Sequence, residues 1–557
     1  MENQEKTGGT LLVDCLKAQG VRRIFGVPGE SYLDVLNALY DAPEIELIGN
    51  RNEGGAAYMA AAHGQLTGQP GTCFVTRGPG ATNASIGVHT AMQGSVPMIL
   101  FVGQVGTDMK GREAFQEIDY RAYFGPVAKW VTEIDNADRI PELVARAFSV
   151  ALSGRPGPVV VALPEDMLTS TTRAVAGPRV TVAEAAPAPQ DISAITDMLS
   201  GAEKPLVIVG GGGWTPEGKA GFRRFVEANN LPVLSSFRRQ DILDNTSPSY
   251  IGDAGLGKTA AVQAALDAAD VIFAFNMRFG ENTTDGYTRF AVPDMGPRLI
   301  HAHASAEELN KVYTADLPVI SGPNRLAAAL AEVNMPVGWA DYAGAAKAGY
   351  EASLQTPPQP GDLDMGAVVR HLQADLPADA ILTNGAGNFA IWHSKFFQYG
   401  ADARLLAPQS GAMGYGLPAA IAAKAEHPER AVVCIAGDGD FQMNCQELGT
   451  AMQHGIAPIV LVVNNGTYGT IRMHQERRYP ERVSFTDIAN PDFAALARAY
   501  DFHAERVTRT ADFAAAFARA KAAKTGALLE LVVSPESLTP GQTLSQMRAA
   551  GKAKENT

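Results

Sequence analysis

Two apolar runs in the last third of the chain, AVVCIA (431–436) and IVLVV (459–463), each end in polar residues. The first run is followed by Gly-Asp-Gly (437–439), and the second is followed by two asparagines. An amphipathic stretch separates the two runs, so the order is strand, glycine turn, helix, strand. This order predicts a right-handed crossover between neighbouring parallel strands. In such sheets ligands bind beyond the carboxyl ends of the strands, so the feature constrains both the fold and the place of the site.

The stretch between the runs, FQMNCQELGTAMQHG, has a helical pattern of apolar residues. Phe441, Cys445, Leu448 and Met452 follow one another at spacings of four, three and four. This periodicity predicts one continuous helix that turns these four side chains to the core.

Asp438 and Asn465 are predicted to lie side by side at the ends of the two strands. Asn465 follows Asp438 by 27 positions, which is the length that one crossover needs. Carboxylate, amide and carbonyl oxygens suit Mg²⁺ or Ca²⁺, and Mg²⁺ takes its remaining ligands from phosphate and water. Each residue taken alone would also suit an ordinary turn. Their joint placement around one helix, whose N-terminus favours an anion, predicts a diphosphate held through a divalent cation.

Strand-like runs alternate with amphipathic stretches almost throughout the 557 residues, which predicts α/β architecture with parallel sheets. The length exceeds what one hydrophobic core supports, and Pro-rich passages at 176–190 and 355–364 divide the chain into three blocks of similar size. The final stretch, GKAKENT, is expected to be a frayed tail.

Composition excludes several classes of function. The net charge is −13 and no basic stripe is present, so we expect no nucleic-acid partner. No apolar stretch reaches about 18 residues, and the polar N-terminus has no signal-peptide core, so we expect no membrane association and a cytoplasmic protein. The four cysteines are scattered without metal-ligand spacing, as in reduced intracellular proteins.

Several linked motifs resemble the thiamine-diphosphate (ThDP) enzymes, and most closely their acetohydroxyacid (acetolactate) synthase branch. The motifs are GDG followed by NN, RNEGGAAYMAAAHGQLTGQPG, VTRGPGATNASIG, AFQEID, SGRPGPVVVALPEDM, GAMGYGLPAAIAA and NPDFAALARAY. The resemblance implies three doubly wound parallel-sheet domains in a homodimer or homotetramer with active sites at the subunit interface. These would be a pyrimidine-binding domain at 1–175, a central Rossmann-like domain at 190–340 and a diphosphate- and Mg²⁺-binding domain at 360–540, followed by a tail at 541–557.

The resemblance also implies roles for individual residues. Asp438, Asn465 and the carbonyl of Thr467 would be the metal ligands. Met413 would bend the cofactor into its V shape, and the carbonyl of Gly411 would accept a hydrogen bond from its amino group. The remaining cofactor contacts would come from Pro28, Gly29, Gly387, Asn388, Gly437, Gly439, Asp440, Tyr468 and Gly469.

Glu53, in RNEGG, matches the glutamate that hydrogen-bonds the aminopyrimidine ring in these enzymes. An acid at the ring nitrogen favours the imino tautomer, which removes the proton from the thiazolium carbon. The same residue would also suit a helix N-terminus, where the macrodipole stabilises a carboxylate. The resemblance places Glu53 and Asp438 of one active site on different subunits.

Two parts of the sequence resemble nucleotide-binding sites, one a P-loop and the other a flavin site. GDAGLGKT (252–259) fits the P-loop pattern, but we expect no buried strand before it and therefore no NTPase site. Arg155 and Arg278 match flavin-contact positions of the branch, whereas FRRQD (237–241) and IHAHAS depart from it. The sequence therefore leaves FAD in the central domain open.

Some residues at the expected substrate positions also differ from those of the acetolactate synthase branch. Phe115 and Gln116 match its substrate positions, but His474 stands where a tryptophan selects the acceptor. Glu165 replaces an expected lysine, and Glu30 replaces a glycine near the reacting carbon.

The resemblance therefore implies ThDP- and Mg²⁺-dependent decarboxylation of a pyruvate-like 2-oxo acid with carboligation to a second carbonyl. The alternative is a simple 2-oxo acid decarboxylase or aldehyde lyase/carboligase similar to benzoylformate decarboxylase.

Overall fold

The computed structural model describes residues 5–555 and contains three six-stranded sheets in which all strand pairs are parallel. α-Helices connect the successive strands of the first and third sheets, whereas in the second sheet they follow only β9, β11 and β14. The predicted α/β class with three doubly wound parallel sheets is confirmed. The central strands are buried along their whole length, as in the run Met98–Gln104. Continuous burial explains why these strands read as unbroken apolar runs rather than as alternating ones.

The first sheet has the strand order β3-β2-β4-β5-β7-β6, and a short antiparallel pair, β1 and β8, stands apart from it. The strands are β1 Lys6–Thr7, β2 Arg23–Gly26, β3 Glu46–Gly49, β4 Gly71–Val75, β5 Met98–Gln104, β6 Trp130–Glu133, β7 Pro158–Pro164 and β8 Thr171–Thr172. The helices are α1 Gly8–Ala18, α2 Leu33–Tyr40, α3 Glu53–Thr67, α4 Gly78–Gly94, α5 Tyr120–Phe124, α6 Ile140–Leu152 and α7 Glu165–Thr169.

The second sheet has the order β11-β10-β9-β12-β13-β14. Its strands are β9 Pro205–Val209, β10 Val233–Ser235, β11 Tyr250–Asp253, β12 Val271–Phe275, β13 Arg298–His303 and β14 Leu317–Ile320. The helices are α8 Pro189–Ser200, α9 Pro216–Ala228, α10 Ala260–Ala268, α11 Pro323–Leu330 and α12 Ala340–Ser353.

The third sheet has the order β16-β15-β17-β18-β20-β19. Its strands are β15 Ile381–Asn384, β16 Arg404–Leu406, β17 Val432–Gly437, β18 Ile459–Asn464, β19 His503–Val507 and β20 Ala527–Val532. The helices are α13 Met365–Asp375, α14 Ala390–Phe396, α15 Gly416–Glu426, α16 Asp438–Gln442, α17 Leu448–Gln453, α18 Gly469–Arg478, α19 Phe493–Arg498, α20 Thr510–Ala522 and α21 Leu544–Glu555.

Contacts divide the chain into two compact units, and the division does not follow the three sheets. One unit comprises the described residues through Ala183 together with Ile421–His427 and Asn444–Ile456. The other comprises Glu184–Ala420, Pro428–Met443 and the described residues from Ala457 onward. The domain boundaries proposed from the sequence are not tested by this division and remain predictions.

The crossover between β17 and β18 is parallel, as predicted, but its helix is not continuous. Helix α16 ends at Gln442, and a short 3₁₀ turn precedes α17. Asn444 leaves the helical region with φ −142°, and Met452 is exposed rather than buried. The expectation of one uninterrupted helix is therefore wrong, because this asparagine breaks it.

The P-loop-like segment follows a buried strand, contrary to expectation. Strand β11 precedes it and α10 follows it, with Thr259 as the N-cap residue. However, Nζ of Lys258 donates to Asp285 at 2.7 Å and to the carbonyl of Asn282 at 2.7 Å. The lysine that would contact phosphate is therefore bound to its own domain.

The segment before the predicted tail belongs to α21, Leu544–Glu555. Leu544 and Met547 of α21 are buried in a small cluster with Met473 of α18. Arg548 donates two hydrogen bonds to Glu476, at 2.9 and 2.8 Å. Helix α21 includes residues 551–555 of the predicted tail, whereas residues 556–557 lie outside the described part of the chain.

Among the described residues, no helix combines the length and the apolar composition that crossing a bilayer would require.

Candidate functional site

The carboxyl ends of β17 and β18 bring the predicted metal ligands to one edge of the third sheet. Gly437 is the last residue of β17 and Asp438 is the first residue of α16. Strand β18 pairs with β17 and ends at Asn464, so Asn465 follows at the neighbouring strand end. The structure therefore places both residues at adjacent strand ends, as predicted.

Asp438 is a buried carboxylate held by hydrogen bonds. Its Oδ1 accepts from the N–H of Gly439 at 2.9 Å. Its Oδ2 accepts from the N–H of Gly466 at 2.8 Å and from Nδ2 of Asn490 at 2.8 Å. Burial raises the pKa of Asp438, and these hydrogen bonds oppose that shift. A buried carboxylate of this kind gains stability from a cation at its free lone pairs.

Asn490 is a residue whose role the sequence analysis missed. Its side chain donates to both Asp438 and Asn464, and it accepts from Gln442 at 3.0 Å. It therefore fixes the carboxylate between the two strand ends. Asn490 begins the quoted motif NPDFAALARAY, and the Asn-Pro pair was the only local indication of a special position.

Asp440 joins two glycine-containing loops. Its Oδ1 accepts from the N–H of Ala386 at 3.0 Å and from the N–H of Gly414 at 2.9 Å. Burial raises its pKa to about 7, although the same hydrogen bonds and Arg238 lower it. The side chain therefore positions the loops that contain Gly387 and Met413.

These loops enclose a cavity of about 240 Å³ in the second compact unit. Most of the predicted cofactor residues line it, namely Gly387, Asn388, Gly411, Met413, Gly437, Asp438, Gly439, Asp440, Asn465, Thr467, Tyr468 and Gly469. Apolar side chains complete the wall, among them Phe389, Trp392 and Leu538. Pro28 and Gly29 follow β2 in the first unit, and their predicted contacts with the cofactor stay predictions.

The residues at this cavity fit a diphosphate and a magnesium ion. Asp438, Asn465 and Thr467 line the same space, and a mixed set of carboxylate, amide and carbonyl oxygens suits Mg²⁺. Residues 5–555 contain no cluster of three His, Cys, Asp or Glu side chains suited to a metal. A Cβ added to Gly437 would lie 2.6 Å from Phe389, so the strand end must be glycine for the wall to close.

Glu53 is the first residue of α3, where Asn52 caps the helix by accepting from the N–H of Gly54 at 2.8 Å. Its Oε2 accepts from Nδ2 of Asn83 at 2.8 Å. The expected helix N-terminus is thus observed, and it leaves the carboxylate only partly buried. The predicted proton-transfer role stays a prediction.

A second carboxylate, Glu447, supports this turn and was missed by the sequence analysis. It is fully buried and accepts from Nδ2 of Asn50 at 3.0 Å and from the N–H groups of Asn52 at 3.0 Å and Arg51 at 3.2 Å. Thr450 donates to it at 2.6 Å. Burial raises the pKa of Glu447, and these bonds oppose the shift. No sequence pattern indicated that a residue nearly 400 positions away holds the turn before Glu53.

The predicted substrate residues lie on different elements. Phe115 is 73% exposed, and Gln116 has a left-handed backbone with φ 68°. His474 lies on the exposed side of α18 and is not among the residues that line the cavity. Partial burial, Arg477 and Arg478 lower the pKa of His474. Its predicted role in substrate selection stays a prediction.

Arg155, one of the two residues that favoured a flavin, has partners within its own domain. Its Nε donates to Oγ of Ser95 at 2.9 Å, and its Nη2 donates to the carbonyl of Met92 at 2.5 Å. The structure therefore supplies a structural role for this arginine.

Comparison with known proteins agrees with this architecture. Residues 6–123, 192–330 and 385–531 match the families described as thiamine pyrophosphate enzyme N-terminal TPP binding domain, central domain and C-terminal TPP binding domain. The chain is 32% identical to the acetolactate synthase large subunit of Corynebacterium glutamicum over 537 residues, covering 93% of this chain and 85% of that protein. It is 31% identical to the acetolactate synthase isozyme 2 large subunit of Escherichia coli K12, covering 90% and 91%. It is also 31% identical to the acetolactate synthase of Arthrospira platensis, covering 97% of both chains. The chain therefore belongs to the thiamine pyrophosphate enzymes, in the branch of the acetolactate synthases.

Proposed function

We propose that this protein decarboxylates a pyruvate-like 2-oxo acid, with ThDP and Mg²⁺, and joins the acyl unit to a second carbonyl compound. The proposal rests on one observation, which is that Asp438, Asn465 and Thr467 line the same cavity as the glycine-containing loops. The names of the relatives, which are acetolactate synthases, support the same class of reaction.

In this proposal the residues at the strand ends bind and orient the cofactor. Asp438, Asn465 and the carbonyl of Thr467 hold Mg²⁺, while Asn490 keeps the carboxylate in place. Backbone N–H groups near Gly387 and Gly439 bind the diphosphate. When bound, ThDP supplies an electron sink for the pair released as CO₂ leaves. The apolar wall excludes water, which strengthens the electrostatic contacts inside the cavity.

Glu53 is the proposed proton-transfer residue. Its position on the first turn of α3, with Asn83 on one carboxylate oxygen, leaves the other oxygen to exchange a proton with the aminopyrimidine ring. We expect a homodimer or homotetramer in which Glu53 of one subunit serves the cavity of its partner. Glu447 is a positioning residue in this scheme, because it holds the turn that ends at Asn52.

A simple decarboxylase or aldehyde lyase is the second candidate. The substitution of histidine for the expected tryptophan at position 474, and the exposure of that histidine, favour it. Product analysis separates the two candidates, since a decarboxylase releases a free aldehyde and a carboligase forms a new carbon–carbon bond.

The metal assignment is tested with Asp438→Asn. Mn²⁺ serves as the metal probe by paramagnetic resonance, and the affinity for ThDP is measured by calorimetry at fixed Mg²⁺. We expect at least a tenfold loss of affinity for both, because an amide replaces the only carboxylate of the set. Asp512→Asn is the matched control, since Asp512 is an exposed carboxylate of α20 paired with Arg509. Unchanged affinities in Asp438→Asn would refute the assignment.

A further inference from the structure

The first sheet reverses its strand order between β2 and β4. The chain passes from β2 to β3 on one side and then places β4 on the other side of β2. Ligands of open parallel sheets bind outside the carboxyl ends of the strands at such a point. The loops after β2 and β4 flank this position, and they contain Glu30 and Arg77.

These loops form a charged cluster with a third residue, Glu165, which follows β7. Nη2 of Arg77 contacts the carboxylate of Glu165 and lies 3.7 Å from Oε1 of Glu30. We call Glu30, Arg77 and Glu165 the acidic triad. Its two carboxylates face one guanidinium, so its formal charge is −1. The side chain of Arg77 is only 10% exposed, whereas that of Glu30 is 70% exposed and free to meet a ligand.

The triad is joined to the predicted substrate segment. Nη1 of Arg77 donates to the carbonyl of Phe115 at 3.2 Å, and the N–H of Gly78 donates to the carbonyl of Gln116 at 3.0 Å. Arg77 therefore binds both the backbone of the predicted substrate segment and the carboxylate of Glu165. Among residues 5–555, the buried Nε of Arg77 has no hydrogen-bond partner, so this guanidinium keeps one donor unused.

Glu53 belongs to the same edge of the sheet. Helix α4 begins directly after Arg77, and its Asn83 binds the Glu53 carboxylate. A Cβ placed on Gly80, in the first turn of α4, would lie 3.5 Å from Oε1 of Glu53. The proposed proton-transfer group and the acidic triad therefore flank the N-terminus of one helix.

From this arrangement we infer that the acidic triad selects an uncharged hydroxyaldehyde as the acceptor and disfavours a second 2-oxo acid. This inference rests on the proposed function. Carboxylates accept hydrogen bonds from hydroxyl groups, whereas a 2-oxo acid anion brings a further carboxylate that can only accept. Repulsion between like charges a few ångströms apart, at the dielectric of a protein surface, disfavours the anion by about tenfold or more.

The reaction balances with this acceptor. The bond between the carboxylate carbon and the carbonyl carbon of the donor breaks, and CO₂ leaves without the electron pair. The pair forms a bond from the acyl unit to the aldehyde carbon, and the aldehyde oxygen takes up one proton. No oxidant or reductant is needed.

The test is a competition between two acceptors for one donor. The ThDP- and Mg²⁺-loaded protein receives pyruvate with equal concentrations of glycolaldehyde and 2-oxobutyrate. Mass spectrometry measures the two ligation products, and total CO₂ is measured in the same samples. Because both acceptors compete for the same acyl unit, any effect of the triad on the donor cancels in the product ratio.

We expect the hydroxyaldehyde product to exceed the 2-oxo acid product by about tenfold in the wild type. Glu30→Gln and Glu165→Gln should each lower this ratio about fivefold, because each makes the triad neutral. Glu30 is exposed, so its variant keeps the test valid if Glu165→Gln fails to fold. Glu44→Gln is the control, since Glu44 is an exposed glutamate paired with Lys17 and lies at the opposite edge, before β3.

The outcomes separate the two proposals. CO₂ release with a product ratio near one, or a ratio that Glu30→Gln leaves unchanged, overturns the inference and leaves the proposed function standing. Absence of CO₂ with every 2-oxo acid overturns the proposed function and the inference with it.

Discussion

Replacement of Glu447 by glutamine changes one atom of the carboxylate that holds the turn before Glu53. The side-chain amide of the variant can place its oxygen at the position of Oε1, where it still accepts from the N–H groups of Asn52 and Arg51. Its NH₂ group then replaces Oε2 and donates to the hydroxyl of Thr450. The bond from Asn50 is then lost, because two donors face each other.

The loss of this hydrogen bond sets the free-energy cost of the substitution. An unsatisfied buried donor costs about 1–3 kcal/mol, and the remaining bonds weaken when the acceptor loses its charge. Removal of a buried charge offsets part of this loss, since burial raises the pKa of Glu447. We expect a net cost of about 2 kcal/mol, which corresponds to a roughly 30-fold increase in local opening.

Hydrogen exchange measured by mass spectrometry reads this opening directly. Peptides that cover the turn and the first part of α3 should exchange about 30-fold faster in Glu447→Gln, while peptides from β17 and β18 keep their protection. Glu142→Gln is the control, because it makes the same change at an exposed position of the same unit. Unchanged exchange around Asn52 would refute the claim that Glu447 holds this turn.

Three further predictions concern the fold. Burial raises the pKa of Asp253 from 3.8 to about 7, so the folded state loses stability as the pH rises from about 4, where the unfolded chain releases this proton, to about 7, where the folded chain releases it. Asp253→Asn should therefore raise the melting temperature at pH 8 but not near pH 4. Gly71→Ala would put a Cβ 1.9 Å from a backbone carbonyl oxygen of α3, and should abolish soluble expression. Gly68→Ala meets no atom within 4 Å and should cost only about 1 kcal/mol for its positive φ, as thermal unfolding will show. Arg548→Met removes two hydrogen bonds to the buried Glu476, and limited proteolysis should then release α21 faster than in the wild type.

The parts of the fold that depend on local patterns could be predicted from the sequence. The apolar runs 431–436 and 459–463 indicated parallel strands, and Gly-Asp-Gly placed Asp438 at a strand end, because these properties arise from a few neighbouring residues. The break at Asn444 was missed, since an apolar repeat at helical spacing does not reveal one residue that leaves the helix. The buried strand before the P-loop-like segment was missed because YIGD is short and contains a glycine.

Contacts between distant segments could not be predicted from local patterns. Glu447 reaches the turn at Asn50, and Arg77 meets Glu30 and Glu165, only after the strands have been ordered in the sheet. The sequence identified both glutamates of the triad as departures from the family, but their partner, Arg77, was not recognised. Long-range pairing of this kind depends on strand order, which single-residue patterns do not specify.

The proposed reaction is ThDP-dependent decarboxylation with Glu53 as the proton-transfer residue. CO₂ release from pyruvate by the ThDP- and Mg²⁺-loaded protein tests it most directly, with Glu53→Gln compared against the wild type and the Glu44→Gln control. We predict CO₂ release by the wild type and a loss of at least about 100-fold in Glu53→Gln, with Glu44→Gln unchanged, because loss of a positioned acid–base group has that magnitude. Full activity of Glu53→Gln, or no CO₂ from the wild type with any 2-oxo acid, would contradict the claim.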